Sequence, residues 1–342
     1  MFLTTLSKDG SAYDSDGNLI FASYEKFTNE ICRKGYCFIC GEKPSNSFND
    51  EHIFPNWVLK TTNSHNRRLI LPNEQPVKYS TYKIACCQPC NTKLGEVFEK
   101  PLSEVFSGGF KAVKEYVNNG GAQHLCAWLC LIFLKVHLRD FKNPSSLDAR
   151  ENNSMLGSHY DLHELHHIHA VARSRIVGVH VSHGVFGSLN VLNTEKFDSS
   201  DMLDYCDGLA GRTVLLRVKD VALVYVLDDC GGCNSMLEHR LHTFIPSNAI
   251  QLREIYAHYS AANIHLISRP EFGTEINKNT GQPRIVARKG ALDYHDYNPT
   301  IFGEIFAHAL EPYKYNIKVK GKTGEEALDE VRSGELSFLS GK

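Results

Sequence analysis

Two pairs of cysteines, each pair separated by two residues, carry the clearest chemistry in this sequence. They are Cys37 with Cys40 and Cys87 with Cys90. The two-residue gap lets both thiolates of a pair reach one zinc ion at about 2.3 Å, and two such pairs complete a tetrahedral site. The spacing therefore predicts a structural zinc site, in which Cys86 can replace Cys87 through a three-residue gap.

An acidic residue followed by a histidine, Glu51-His52, lies between the two cysteine pairs, and Asn91 follows the last cysteine. An imidazole with a pKa of about 6.5 can take a proton from water at neutral pH. Carboxylate and amide oxygens bind hard divalent cations such as Mg²⁺, which can neutralise the charge that builds up on a phosphate. These residue types are those that the hydrolysis of a phosphodiester requires.

The order Cys-x-x-Cys, acidic-His-Ile-x-Pro and Cys-x-x-Cys-Asn resembles that of the HNH endonucleases over residues 30–105. The resemblance implies a ββα-metal finger with a structural zinc ion on the four cysteines. It also implies that His52 is the general base, that Glu51 and Asn91 hold a catalytic Mg²⁺ or Mn²⁺, and that DNA is the substrate. Bacterial restriction or phage defence would fit such an enzyme.

Three positions depart from the family pattern. Glu51 stands where aspartate is commoner, Asn91 stands where the last histidine often lies, and Tyr82 stands where the middle asparagine is expected. That asparagine usually supports the loop geometry, and Asn73 is available as a substitute. Neighbouring residues of a strand point to opposite faces, so Glu51 and His52 need a bulge or a turn to serve one site.

Other interpretations fit parts of the sequence. A zinc-stabilised module that binds nucleic acid without cleaving it uses the same cysteine spacing, and the four cysteines can also be free thiols of a core. A zinc metalloprotease is indicated by H-E-x-x-H at residues 163–167, with His163 and His167 as ligands and Glu164 as base. Its extended pattern fails at Ala170 and Arg173.

A third cysteine pair, Cys230 and Cys233, has His239 and His242 nearby. Only one pair is present in this region, and the two glycines between the cysteines fit a loop. A loop without metal is therefore favoured, and a second metal site is the alternative.

The charge of the chain gives no general basic field, because the formal net charge is −2. Residues 30–120 carry 12 Lys and Arg against 9 Asp and Glu, a local net of +3. Such an excess can follow the phosphates of DNA, although a solvated surface of mixed charge explains it equally well. The candidate phosphate contacts are Lys93, Lys83, Arg67 and Arg68.

Periodicity and turn formers predict an α+β chain of 342 residues in two domains. Residues 1–145 are expected to form the nuclease domain with flanking helices, one of them a buried helix at 124–141. Turn formers after residue 143 mark the boundary, and residues 146–342 are expected to form an α+β recognition, regulatory or assembly domain. The strands predicted there are 175–181, 185–191, 213–218, 222–227 and 263–268.

The sequence also predicts where the protein is located and how it assembles. The first ten residues lack a secretory pattern, and no stretch reaches 18 apolar residues, so we expect no membrane span and a cytoplasmic protein. Eleven cysteines agree with a reducing compartment. One finger cuts one strand, so a double-strand break would need two copies, and a homodimer is the expected partner arrangement.

Overall fold

The computed structural model describes residues 4–148, 150, 154–197, 202–241, 244–277 and 279–339, without the side chains of residues 238–240. The strands are β1 (Thr5–Leu6), β2 (Ala12–Tyr13), β3 (Leu19–Phe21), β4 (Phe48–His52), β5 (Arg68–Ile70), β6 (Pro76–Lys78), β7 (Lys83–Cys87), β8 (His180–Val181), β9 (Leu189–Asn193), β10 (Leu203–Gly208), β11 (Thr213–Val218), β12 (Val221–Val226), β13 (Glu271–Ile276) and β14 (Pro283–Arg288). The helices are α1 (Tyr24–Lys26), α2 (Asn56–Thr61), α3 (Gln88–Leu94), α4 (Lys100–Ser107), α5 (Gly109–Tyr116), α6 (Ala122–Asp140), α7 (Leu162–Arg173), α8 (Gly232–Leu241), α9 (Ala249–His265), α10 (Pro299–Leu310) and α11 (Glu325–Arg332). This mixture confirms the α+β class.

The chain forms two compact units. Unit 1 comprises Met1–Ser107, Gly121–Val185 and Phe272–Ala287, and unit 2 comprises Gly108–Gly120, Phe186–Glu271 and Arg288–Lys342. This division differs from the boundary predicted at residue 145.

The segment that follows residue 143 is held inside unit 1 by hydrogen bonds. Asn73 Nδ2 donates to Pro144 O at 3.0 Å, and Pro144 pairs with Met155 as an antiparallel bridge. The turn formers that marked the boundary in the sequence therefore belong to a well-anchored loop.

Strands β4 and β7 of unit 1 pair antiparallel, and α3 follows β7 without a break, which gives a ββα unit. A π-helical segment, Gly95–Glu99, joins α3 to α4 directly before Pro101. Proline lacks the N–H that an α-helix needs at this position, and the wider turn before it allows the helix to continue. The helical stretch that begins with α3 therefore runs on to Ser107.

Helix α6 is the buried helix of unit 1 and packs against α7 and β7. Its apolar run, residues 125–134, matches the helix predicted at 124–141. The longer helical stretch Gly109–Asp140 is apolar enough to cross a membrane by length and composition, but 83% of its most apolar window is buried within the protein. Burial of this kind is typical of a core helix.

Unit 2 is built on an antiparallel sheet with the strand order β10-β11-β12-β9. Strands β11 and β12 are buried at every position, and α9 packs on both of them. The prediction of a strand at residues 263–268 is wrong, because α9 continues to His265. Asn263, on this helix, donates a hydrogen bond from Nδ2 to Gly211 O at 2.8 Å. A short apolar run at the end of a buried helix has the same composition as a strand.

Candidate metal centre and candidate active site

The four predicted cysteines meet in unit 1, and we call them the cysteine cluster. Their Sγ atoms all lie within 4.8 Å of one another, and those of Cys40 and Cys87 are 3.6 Å apart. Four thiolates at about 2.3 Å from a tetrahedral zinc ion are about 3.8 Å apart, so the cluster can hold a metal ion and its geometry is compatible with zinc. The other two members are Cys37 and Cys90.

Cys87 rather than Cys86 belongs to the cluster. The two residues are neighbours on β7 and so leave opposite faces of the strand. Cys86 is buried with its Sγ 3.8 Å from that of Cys37, but it does not come within reach of the whole group. The spacing in the sequence left open whether Cys86 or Cys87 is the fourth member. The alternation of side chains along β7 selects Cys87.

Close approach of the sulfurs changes their pKa values in opposite directions. Hydrogen bonds, chiefly from Cys40, lower the pKa of the Cys37 thiol, whereas the hydrogen bond to Cys37 raises the pKa of Cys40 to about 12 and also raises the pKa of Cys90. Zinc binds the thiolate form of cysteine, so a metal ion that binds to the cluster releases thiol protons.

Glu51 is buried at the end of β4 and forms an ion pair that the sequence did not predict. Lys135, which is 1% exposed on α6, donates from Nζ to Glu51 Oε1 at 2.8 Å and to the backbone O of His52 at 2.6 Å. The ammonium group thereby fixes both residues of the Glu51-His52 pair. Burial, and then the charge of Glu51, raises the pKa of a second carboxyl group, that of Glu99.

His52 is the last residue of β4 and is half-buried. The ladder pairs it with Lys83 and pairs Glu51 with Ile84 without a register shift, so β4 has no bulge and the chain bends only after His52. Burial, and then the positive charge of Lys83, lowers the pKa of His52. The imidazole is therefore neutral at pH 7 and able to accept a proton.

Asn91 lies on α3 and its Nδ2 donates to Asn49 Oδ1 at 2.8 Å. Asn49 and Glu51 are two residues apart on β4 and thus share one face of the strand, whereas His52 leaves the opposite face. Within the described part of the chain, no hydrogen bond reaches Asn91 Oδ1 or Glu51 Oε2. Carboxylate and amide oxygens are of the type that binds hard divalent cations.

The position of the missing middle asparagine is occupied by a structural residue. Tyr82 O accepts a hydrogen bond from Ile53 N at 3.1 Å, and Tyr82 Oη donates to Asp140 Oδ2 at 2.8 Å. Tyr82 therefore holds the loop that follows His52. Asn73, the other candidate, is buried and bonded to Pro144 O.

The four candidate phosphate contacts have unequal exposure. Arg68 and Lys93 are exposed, and Arg67 and Lys83 are half-buried. Of these, only Lys83 is paired directly with His52 across the ladder.

The histidines of the H-E-x-x-H pattern do lie on one helix, α7, but do not form a metal group there. His167 stacks on Phe272 with ring centroids 3.5 Å apart, and burial lowers its pKa to about 3. Among the described residues, the cysteine cluster is the one group of three or more His, Cys, Asp or Glu side chains that can hold a metal ion. The arrangement of His163 and His167 therefore gives no support to the protease interpretation.

The Cys230-Cys233 pair is likewise outside any such group in the part of the chain that the structure describes. Burial raises the pKa of Cys230 to about 12 and raises that of Cys233 further. His242 and the side chain of His239 lie outside the described residues.

Sequence reasoning missed Lys135 and Glu99. The available signal for Lys135 was its position, because a lysine that directly continues the apolar run of a buried helix requires a buried partner. Glu99 had no comparable signal, since it lies in a half-exposed part of the helical segment.

We expect Lys135→Met to lower the free energy of unfolding of unit 1 by about 3–5 kcal/mol, because it leaves the Glu51 carboxylate buried without its cation. Denaturant unfolding can be followed by tryptophan fluorescence, since Trp57 and Trp128, the two tryptophans of the chain, both lie in unit 1 and stack on each other. The double variant Lys135→Met/Glu51→Leu should recover most of the lost free energy of unfolding, because it leaves no buried carboxylate without a cation. A matched control, Lys142→Met at an exposed site, should change stability by less than about 0.5 kcal/mol. Equal effects of the two lysine substitutions would contradict the ion pair.

Comparison with protein-family models, with curated proteins and with solved structures found no match.

Proposed function

We propose that this chain is a metal-dependent HNH-type endonuclease that hydrolyses phosphodiester bonds of DNA. The observation that carries the proposal is the ββα unit, in which the cysteine cluster fastens β7 and α3 to the turn before β4, and β4 ends in a neutral, half-buried His52. In this proposal the cluster holds a structural zinc ion and takes no part in the reaction.

The residues of the unit have separate tasks in the proposed reaction. His52 takes the proton of the attacking water, and Lys83 beside it attracts the phosphate. Glu51 Oε2 and Asn91 Oδ1 are the atoms that would hold Mg²⁺ or Mn²⁺, whose charge, when the ion is bound, stabilises the phosphate in the transition state. Lys135 keeps the Glu51-His52 pair in place from the buried side.

A nucleic-acid-binding module without catalysis is the second candidate. The observation in its favour is the ion pair between Lys135 and Glu51, because it already neutralises the carboxylate that the nuclease needs as a metal ligand. The regular β4 ladder, which directs Glu51 and His52 to opposite faces, also favours this candidate.

The full chain should nick supercoiled plasmid in the presence of Mg²⁺ or Mn²⁺ and stop when EDTA removes that ion. Nicking and DNA binding should be measured in the same samples, with Glu164→Ala as a control that should leave the nicking rate unchanged. Binding without nicking under any divalent ion would favour the binding module. Proteolysis that Glu164→Ala abolishes would favour the protease instead.

The pH dependence of nicking should reflect the lowered pKa of His52. A general base works when neutral, so the rate should fall only as pH drops through a pKa below the usual 6.5 and should be level above it. Lys83, Lys135 and His65 lower this pKa, and Glu51 raises it. Lys83→Gln removes a positive charge and should move the fall to higher pH. A profile of kcat/KM against pH tests this, and a midpoint that Lys83→Gln leaves in place would contradict it.

Unit 2 is proposed to select or assemble rather than to cleave. A finger that contacts mainly backbone phosphates carries little sequence information, so selectivity needs further protein. A homodimer, in the cytoplasm, would supply the second finger that a double-strand break requires. Analytical sedimentation of the chain with and without DNA measures its oligomeric state.

A further inference from the structure

Arg173, the last residue of α7, is a buried cation whose partners are almost all uncharged. It is 1% exposed, NH2 donates to Leu19 O at 2.6 Å, and NH1 reaches Ile20 O at 3.4 Å. Its Nε is buried without any hydrogen-bond partner, and within the described residues no carboxylate pairs with the guanidinium. A buried charge that meets only carbonyl dipoles is expensive.

The pKa of Arg173 responds to the charge of the cysteine cluster. Burial lowers the pKa of Arg173 to about 10, and the sulfurs of Cys40, Cys37 and Cys90 act in the opposite direction. The guanidinium and the cluster are thus within electrostatic range of each other in a buried environment.

Contacts on both sides of Arg173 fix it against the loop between the first two cysteines. One helical turn earlier on the same face of α7, His169 Nε2 donates to Phe38 O at 2.8 Å, and Phe38 lies between Cys37 and Cys40. The ring is neutral because burial lowers the pKa of His169 well below its usual value. α7 therefore docks directly on the loop.

The strand that accepts the hydrogen bonds of Arg173 packs on the same loop. A Cβ added at Gly41 would come within 2.9 Å of Leu19 Cδ2, which shows how closely β3 approaches the residue after Cys40. The glycine is required there for this approach and for its φ of +72°.

A zinc ion bound by four thiolates carries two net negative charges, which also need compensation when they are buried. We propose that Arg173 is the built-in counter-charge of the metal-bound cysteine cluster, so that α7 acts as a positioning element for metal binding. Each charge offsets the burial cost of the other. This role does not depend on whether the chain cleaves DNA.

The test compares variants that separate the charge of Arg173 from its hydrogen bonds. Arg173→Gln keeps donors for the Leu19 and Ile20 carbonyls but removes the charge, whereas Arg173→Lys keeps the charge. Arg175→Gln is the matched control, because Arg175 is exposed two residues further along. Zinc affinity is measured on the full chain by competition with a chelator.

Arg173→Gln should weaken zinc binding about 10- to 100-fold, as is usual for partners just outside the ligands, while Arg173→Lys and Arg175→Gln should stay close to the original affinity. Cobalt-substituted protein gives a second readout, because loss of a positive charge beside the thiolates should shift the sulfur-to-cobalt absorption band to longer wavelength. A purely structural role would weaken folding without moving this band.

Two outcomes would overturn the proposal. One is a folded Arg173→Gln protein with unchanged zinc affinity and an unchanged cobalt band. The other is an Arg173→Lys protein that binds zinc as weakly as Arg173→Gln. Should Arg173→Gln fail to fold, the Arg173→Lys protein decides alone: retained affinity and band support the proposal, and a loss of either contradicts it.

Discussion

Replacing Cys40 with serine should remove the bound zinc and unfold the ββα unit. The cluster joins two segments of chain that 46 residues separate, and the Sγ of Cys40 lies 3.6 Å from that of Cys87 across this junction. Zinc binding contributes about 10–16 kcal/mol in small structural sites, and this energy is also folding energy. Metal analysis should fall from about one zinc per chain to near none. Tryptophan fluorescence should show that unit 1 unfolds at a lower denaturant concentration than in the unaltered chain.

Cys86→Ala is the matched control for this prediction. Cys86 is buried and its Sγ lies 3.8 Å from that of Cys37, but it is outside the cluster. Its substitution should keep the full zinc content. If Cys40→Ser retained its zinc, or if Cys86→Ala lost it, the ligand set described above would be wrong.

The cysteine cluster was predictable because its chemistry depends on local spacing. Each Cys-x-x-Cys pair fixes two ligands within one turn of chain, so only the meeting of the two pairs depended on the fold. Helix α6 was also predictable from local sequence, since an uninterrupted apolar run of this length is typical of a buried helix.

The partner of Glu51 was not predictable, because Lys135 lies 84 positions away in the sequence. Nothing local to Glu51 distinguishes a metal ligand from half of a buried ion pair. The same holds for Arg173, which the sequence presented only as a mismatch in a protease pattern. In both cases the partners of a charged residue lie far away in the sequence.

The predicted boundary at residue 145 differs from the division into two compact units for another reason. Turn formers mark a change of direction, but they do not show whether the loop leaves its unit or is bonded back to it. Here the loop stays in unit 1, because Pro144 accepts a hydrogen bond from Asn73 and forms an antiparallel bridge with Met155.

His52→Ala should lower the rate of metal-dependent nicking by about 10²- to 10⁴-fold, which is the usual contribution of a general base. The substitution keeps the backbone carbonyl that accepts from Lys135, so the end of β4 should retain its structure. The zinc content and the fluorescence unfolding curve of the His52→Ala protein should equal those of the unaltered chain. His183→Ala, at an exposed histidine elsewhere in unit 1, should nick at the original rate.

The most direct measurement is therefore the rate of plasmid nicking in Mn²⁺ by the unaltered chain and by His52→Ala, at equal protein and equal zinc content. The proposed function predicts nicking by the first and almost none by the second. Equal rates for the two proteins, or no nicking by the unaltered chain while it binds the same DNA, would contradict it.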